Sequence, residues 1–278
     1  MKKILSFLWK LLLIIGVVIL LLLGGIEMLK EKIAAGDEAV DSVALAHQDD
    51  WVDLGLPSGL LWGKDNVGGT SWSGDTNYLF AWGDTAYRDR SFRWSTYRFT
   101  EGDRKPKTPS MYDSGPGDYG KLTKYCTNPE YGKDGVADNL TTLQPEDDAA
   151  TVGWGKGARI PTSSDWLELK KNTTQRWEKR GDIGGMVFTG SNGNSIFLPA
   201  VGYSNDGWLD GYGTYGSYWT NEMGDVDIPL VTSNFDTVAI YDATLSAKCF
   251  DFDSFNHSSI RTVYRYHGLS IRAVRSTK

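Results

Sequence analysis

The chain is poor in the residues that carry most known enzyme chemistry. It has two cysteines, Cys126 and Cys249, in 278 residues. They form no C-x-x-C, and no histidine lies at zinc-ligand spacing, so zinc fingers and thioredoxin-type redox motifs are excluded. A disulfide between them and a pair of partly buried thiols both stay open. There are three histidines, His47, His257 and His267, and no G-x-S-x-G elbow. A Cys249–His257 pair is conceivable, but nothing nearby in sequence activates the thiolate. "GPGDYGKL" (Gly115 to Leu122) misses a phosphate-binding loop by one residue, since Leu122 stands where Ser or Thr would hold magnesium. No buried strand precedes it, so no nucleotide and no other cofactor is expected.

Positive charge is scarce too. The formal net charge is −6. Residues 1–46 hold five lysines and five acidic residues, so the whole excess falls on residues 47–278. An acidic chain without a basic stripe argues against nucleic acid and against adhesion to anionic lipid. No internal repeat occurs at the usual periods. Acidic residues cluster at Asp225, Asp227, Asp251 and Asp253, but neither run matches an EF-hand loop. These four are weak calcium candidates against the alternative of a solvated strand edge, and no metal is expected.

What is abundant is glycine (32) and tryptophan (11), with aromatics at 13%. That is the composition of an ordered, loop-rich, strand-containing domain. Apolar residues dominate Ile4 to Ile26 after Lys2 and Lys3. As a helix this stretch would be about 34 Å long, enough to cross a bilayer. Lys10 would snorkel, and the lysines place the N-terminus in the cytoplasm. A cleaved signal peptide is the rival reading. Its small-x-small sites at Ala34–Gly36 and Ala44–Ala46 lie far past the apolar run. The expected division is a cytoplasmic tip and anchor at 1–29, a stalk at 30–46 and an ectodomain at 47–278, periplasmic or extracellular.

Within 47–278, short strand-like runs alternate with Gly, Asn and Asp turns. Trp51–Leu54 and Leu60–Trp62 flank a Gly-Leu-Pro-Ser-Gly turn. Met186–Thr189 and Ser195–Leu198 read as a hairpin, and Thr237–Tyr241 as a strand. "GLSIRAVR" alternates Leu269, Ile271 and Ala273 against Ser270 and Arg272, the pattern of a strand with one buried face. Thr162 and Asp165 form a capping-box pattern before a helix carrying Trp166 and Leu169 on one face. Asp84 to Glu146 has no long periodic run and reads as a surface excursion. One domain of strands with one or two helices is α+β.

"WVDLGLPSGLLWGKDNVGG", "YLFAWGD", "LTKYC", "LQPEDDAATVGWGKGARIPTSSDWLEL", "GSNGNSIFLPAVGY", "GSYWTNE" and "YHGLSIRAVR" occur in this order. Together they resemble the Fibrobacter succinogenes major paralogous domain of Bacteroidetes surface and envelope proteins. That group is similar, more distantly, to the formylglycine-generating-enzyme type of C-type lectin-like fold. The resemblance covers residues 50–276. It implies a twisted antiparallel sheet with first and last strands adjacent, so that Trp51 and Trp62 are core and loop-base residues. The enzyme's cysteine pair is not matched, since only Cys249 lies in the C-terminal region, so catalysis is not expected. The Glu-Pro-Asn and Trp-Asn-Asp signatures of calcium-dependent sugar-binding lectins are absent.

In related folds the ligand surface comes from loops before the final strand. By position these are Trp208 to Tyr215 and Asp251 to Tyr266. The candidate ligand-binding residues are therefore Trp208, Tyr212, Tyr215, Asn221, Asp253, Asn256, His257 and Arg265. Aromatic rings spaced by Gly, Ser, Asn and Asp suit rigid contact surfaces. The expected role is recognition of a glycan or protein at the bacterial cell envelope. A structural or assembly component without a small ligand is the alternative, and a formylglycine-generating-like enzyme a remote one.

Overall fold

The computed structural model describes residues 46–69, 78–88, 91–101, 120–225, 228–231, 237–241 and 243–277. The predicted anchor at 4–26 and most of the stalk lie outside them. No helix among the described residues is long and apolar enough to cross a membrane. The architecture is sheet-rich α+β, and every strand pairing beyond isolated bridges is antiparallel.

The opening stretch is the first hairpin of the core. Trp51–Asp53 pairs with Leu61–Asn66 across a turn closed by Gly59 N–H to Leu56 O at 2.9 Å. Arg272–Arg275 pairs on the other side of Leu61–Asn66, then Ala158–Arg159. The two ends of the domain therefore share one sheet, as the resemblance implied. Trp62 is buried against Trp166, with ring centroids 4.7 Å apart. Trp51 is half-buried, edge-on to Trp154 and under the Arg275 guanidinium. The hairpin Ile183–Thr189 and Ser195–Pro199 extends the sequence reading, with Thr174–Arg180 on its outer edge. At Gly190, between its strands, a Cβ would stand 1.9 Å from the Leu54 carbonyl oxygen. Only glycine allows the hairpin to close on the opening turn.

A third sheet, Tyr215–Met223, Ser246–Asp253 and Ser258–Tyr264, lies between two apolar clusters. Successive strand side chains point to opposite faces. Tyr218 and Phe250 therefore join Trp62, Trp166, Met186 and Phe188, while Trp219 and Cys249 join Phe80, Trp82, Phe99 and Ile271. In this sheet Tyr218 OH donates to Pro199 O at 2.9 Å and Trp219 Nε1 to Phe80 O at 2.7 Å.

Two helices complete the fold. Asp148 caps α1 (Ala149–Trp154) by accepting from Ala150 N and Thr151 N. Thr162 caps α2 (Ser163–Asn172), and the capping box with Asp165 is formed as predicted. Trp166 and Leu169 are its buried face. Trp166 stacks on Phe250 at 4.7 Å with 5° between planes.

Two expectations are corrected. The final strand has both faces buried: Ser270 and Arg272 are as inaccessible as Leu269 and Ile271. Arg272 is accommodated because its guanidinium donates to Gly63 O at 3.0 Å and Phe197 O at 2.8 Å. The described parts of Asp84 to Glu146 are not a surface excursion. They bury Phe92, Trp94, Tyr97, Phe99, Leu122 and Tyr125. Irregular backbone delivers these rings, so no periodic pattern announces them. Buried Asp147 ties the two halves of the segment together, 2.8 Å from Arg98 and 2.5 Å from Lys124. Leu122 lies in the core, and residues 115–119 of the phosphate-loop-like motif are outside the described residues.

Candidate functional site

The loops before the final strand do converge, on an open cleft of about 420 Å³. One wall is the ribbon Tyr203–Asn205 and Trp208–Asp210. Asp206 and Gly207 make its turn, both with positive φ. Reciprocal bonds of 2.8 Å between Ser204 and Gly268, and Asp206 N–H to Phe92 O, pin the ribbon down. Gly202 has φ +74°, and a Cβ there would meet Asp210 O at 2.0 Å, so glycine sets the ribbon's base.

The other wall is one face of the third sheet. Register places Ser217 opposite Asp251, and Cys249 opposite Arg261. Period-two alternation then puts Tyr215, Ser217, Asp251, Arg261 and Val263 on a common face. Asp251 Oδ1 accepts from Ser217 Oγ at 2.6 Å and from Cys249 Sγ at 3.4 Å. Its Oδ2 accepts a short bond from Tyr215 OH. Arg261 Nη1 lies 3.1 Å from Tyr215 OH and 3.5 Å from Asp251 Oδ2. Burial, then the Asp251 carboxylate, pushes the Tyr215 phenol and the Cys249 thiol above their ordinary ranges. Burial opposes the Arg261 charge, but the Tyr215 phenol and Asp251 outweigh it and raise its pKa.

Tyr203 and His267 close the inner end, their rings 6.2 Å apart. Tyr203 OH donates to Asp210 Oδ2 at 3.2 Å on the rim. Burial lowers the His267 pKa to about 4, so the ring is neutral at pH 7. Its Nε2 is buried with no hydrogen-bond partner among the described residues. Leu269 and Val263 give an apolar floor. A second cavity of about 450 Å³ lies between His47, Asp65, Asn66 and Trp154, where His47 stacks on Trp154 at 4.7 Å.

Of the residues expected from sequence, Tyr215 and Asp251 line the cleft. Trp208 stands on the rim ribbon, 80% exposed. Tyr212 is half-buried against the core. Asp253, Asn256 and His257 form the neighbouring hairpin turn, which reaches the 211–214 loop through Ser254 N–H to Thr214 O. There Asp253 accepts from Phe255 N, His257 N and the His257 ring.

Arg265 and Asn221 are corrected to interior positions. Arg265 is fully buried, donates to Tyr125 O at 2.7 Å and lies over the Trp82 and Tyr97 rings. Asn221 is buried beneath the Pro161 and Leu143 backbone, to which its own backbone bonds. Neither lines the cleft.

Asp225 is ion-paired to Lys248 at 2.7 Å, and Asp227 lies outside the described residues. No group of three or more metal-ligating side chains occurs among the described residues. Cys126 and Cys249 are both buried and not joined in a disulfide, and Cys249 faces Asp251 rather than His257. Asp210 and Arg261 lie within the windows expected from sequence but were not among its candidate residues, and Tyr203 and His267 lie outside them. The Asn205-Asp206-Gly207 turn between aromatic pairs was the signal available for Tyr203 and Asp210. No protein-family model, curated protein or solved structure matches the chain.

Proposed function

We propose that this is a recognition module of C-type lectin-like type, held at the cell envelope by residues 4–26, and that it binds a glycan in the Tyr203–Tyr215–Arg261 cleft. The observation that carries the reading is one concave surface uniting flat rings, an apolar floor and polar groups on the rim. Its volume lies within the range of small-ligand sites, roughly 300–1,000 Å³. Sugar rings present an apolar C–H face that packs on tyrosine and hydroxyls that need acceptors such as Asp210. The rings cost little entropy to hold, because they are fixed by their own bonds to Asp210 and Asp251.

The test is a glycan array with the full chain, run with calcium and then with EDTA. Binding that weakens in Tyr203→Ala and persists in EDTA supports the reading. A blank array from a folded sample removes the glycan reading. It would favour an assembly role instead, for which the exposed rings of Trp208 and Phe255 are the available contacts.

A further inference from the structure

We infer that the glycan taken by this cleft is acidic, with a sugar carboxylate held by Arg261. The inference rests on the glycan-binding reading above and adds the class of sugar. Arg261 is the one cation lining the cleft among the described residues, and its side chain is 58% exposed. Its contacts among the described residues run through Nη1, so Nε and Nη2 make no hydrogen bond among them. Two parallel N–H donors are the geometry that a carboxylate fills in bidentate fashion.

Asp251 shares this charge through Nη1 alone. It stands 3.5 Å away, beyond the roughly 2.7–2.9 Å of a close ionic hydrogen bond. Its oxygens are already engaged by Tyr215, Ser217 and Cys249. The internal donors thus hold Asp251 in place, and the guanidinium keeps a free edge. At the other end, Asp210 on the rim suits sugar hydroxyls and disfavours a second carboxylate. The ligand is thereby oriented, with its acid toward Arg261 and its hydroxyls toward Asp210.

The experiment uses the full chain and three probes: an oligogalacturonate, an oligoglucuronate and a sialylated oligosaccharide. Each is paired with its carboxyl-reduced counterpart. At least one acidic form should bind roughly 10- to 100-fold tighter than its reduced partner, the range of a charged hydrogen-bond pair. Arg261→Gln should bring the acidic sugar to the affinity of its reduced counterpart, and Arg261→Lys should recover part of the difference. Near-ultraviolet circular dichroism confirms that each variant is folded. Equal binding of acidic and reduced forms, or a preference that survives Arg261→Gln, overturns the carboxylate and leaves the glycan reading standing. Binding of none of the six sugars by folded chain overturns the acidic class, and a blank array overturns the glycan reading with it.

Discussion

Replacing Asp148 with alanine tests whether one carboxylate locks α1 to the strand that follows it. Oδ1 accepts from Ala150 N at 2.8 Å and Thr151 N at 3.0 Å, and Oδ2 accepts from Ile160 N at 2.9 Å. Asp148 and Ile160 are both buried. Loss of a helix N-cap costs about 1 kcal/mol. The Ile160 N–H, left buried without an acceptor, adds about 1–3 kcal/mol. The expected total is about 3 kcal/mol, or about 6–12 °C in Tm for a domain of this size. Asp148→Asn keeps one acceptor for the cap but turns an N–H toward Ile160, so its loss should be about 2 kcal/mol. Urea unfolding of the full chain, followed by tryptophan fluorescence, measures both, with an unchanged denaturant slope expected. A loss below about 1 kcal/mol in the alanine variant would refute the reasoning, because water would then be reaching those donors.

Trp166→Ala should cost about 3–5 kcal/mol, since the ring is sandwiched between Phe250 and Trp62; the same unfolding curve reads it. Trp208→Ala should change stability by less than about 0.5 kcal/mol, because the ring is 80% exposed, and a shift above 1 kcal/mol would show that it packs on something. His267 has a folded pKa of about 4, below its unfolded value of about 6.5. Its contribution is therefore present above pH 6.5 and lost as pH falls from 6.5 toward 4. His267→Gln should remove that part of the pH dependence, and a variant that loses stability over this window as steeply as the parent would count against it. Cys126 and Cys249 should react with a thiol reagent only after unfolding, so rapid labelling of the native chain would contradict their burial.

Local rules were legible where the structure obeys them locally. The capping box at Thr162 and Asp165, the hairpin around Ser191–Asn194 and the opening turn all depend on neighbours in sequence. What stayed hidden depends on partners far along the chain. Arg265 and Arg272 look like surface cations, yet their carbonyl partners at Tyr125, Gly63 and Phe197 lie 75 residues or more away. Phe92 to Phe99 carry no period because each ring enters the core from irregular backbone. The cleft was half legible. Asp210, Tyr215, Asp251 and Arg261 sit in the windows suggested by the resemblance. Arg261 owes its place to the register of Cys249 opposite it, which no local pattern encodes.

The sheet joining residues 51–66 to residues 272–275 also has a consequence for timing. Trp62 pairs with Val274, so the strands made first must wait for those made last. Loop closure across more than two hundred residues is entropically expensive, and such non-local pairing is slow. A chain emerging from the ribosome cannot complete this sheet until residue 275 is free. Until then the hairpin of residues 51–66 keeps an open edge on its second strand.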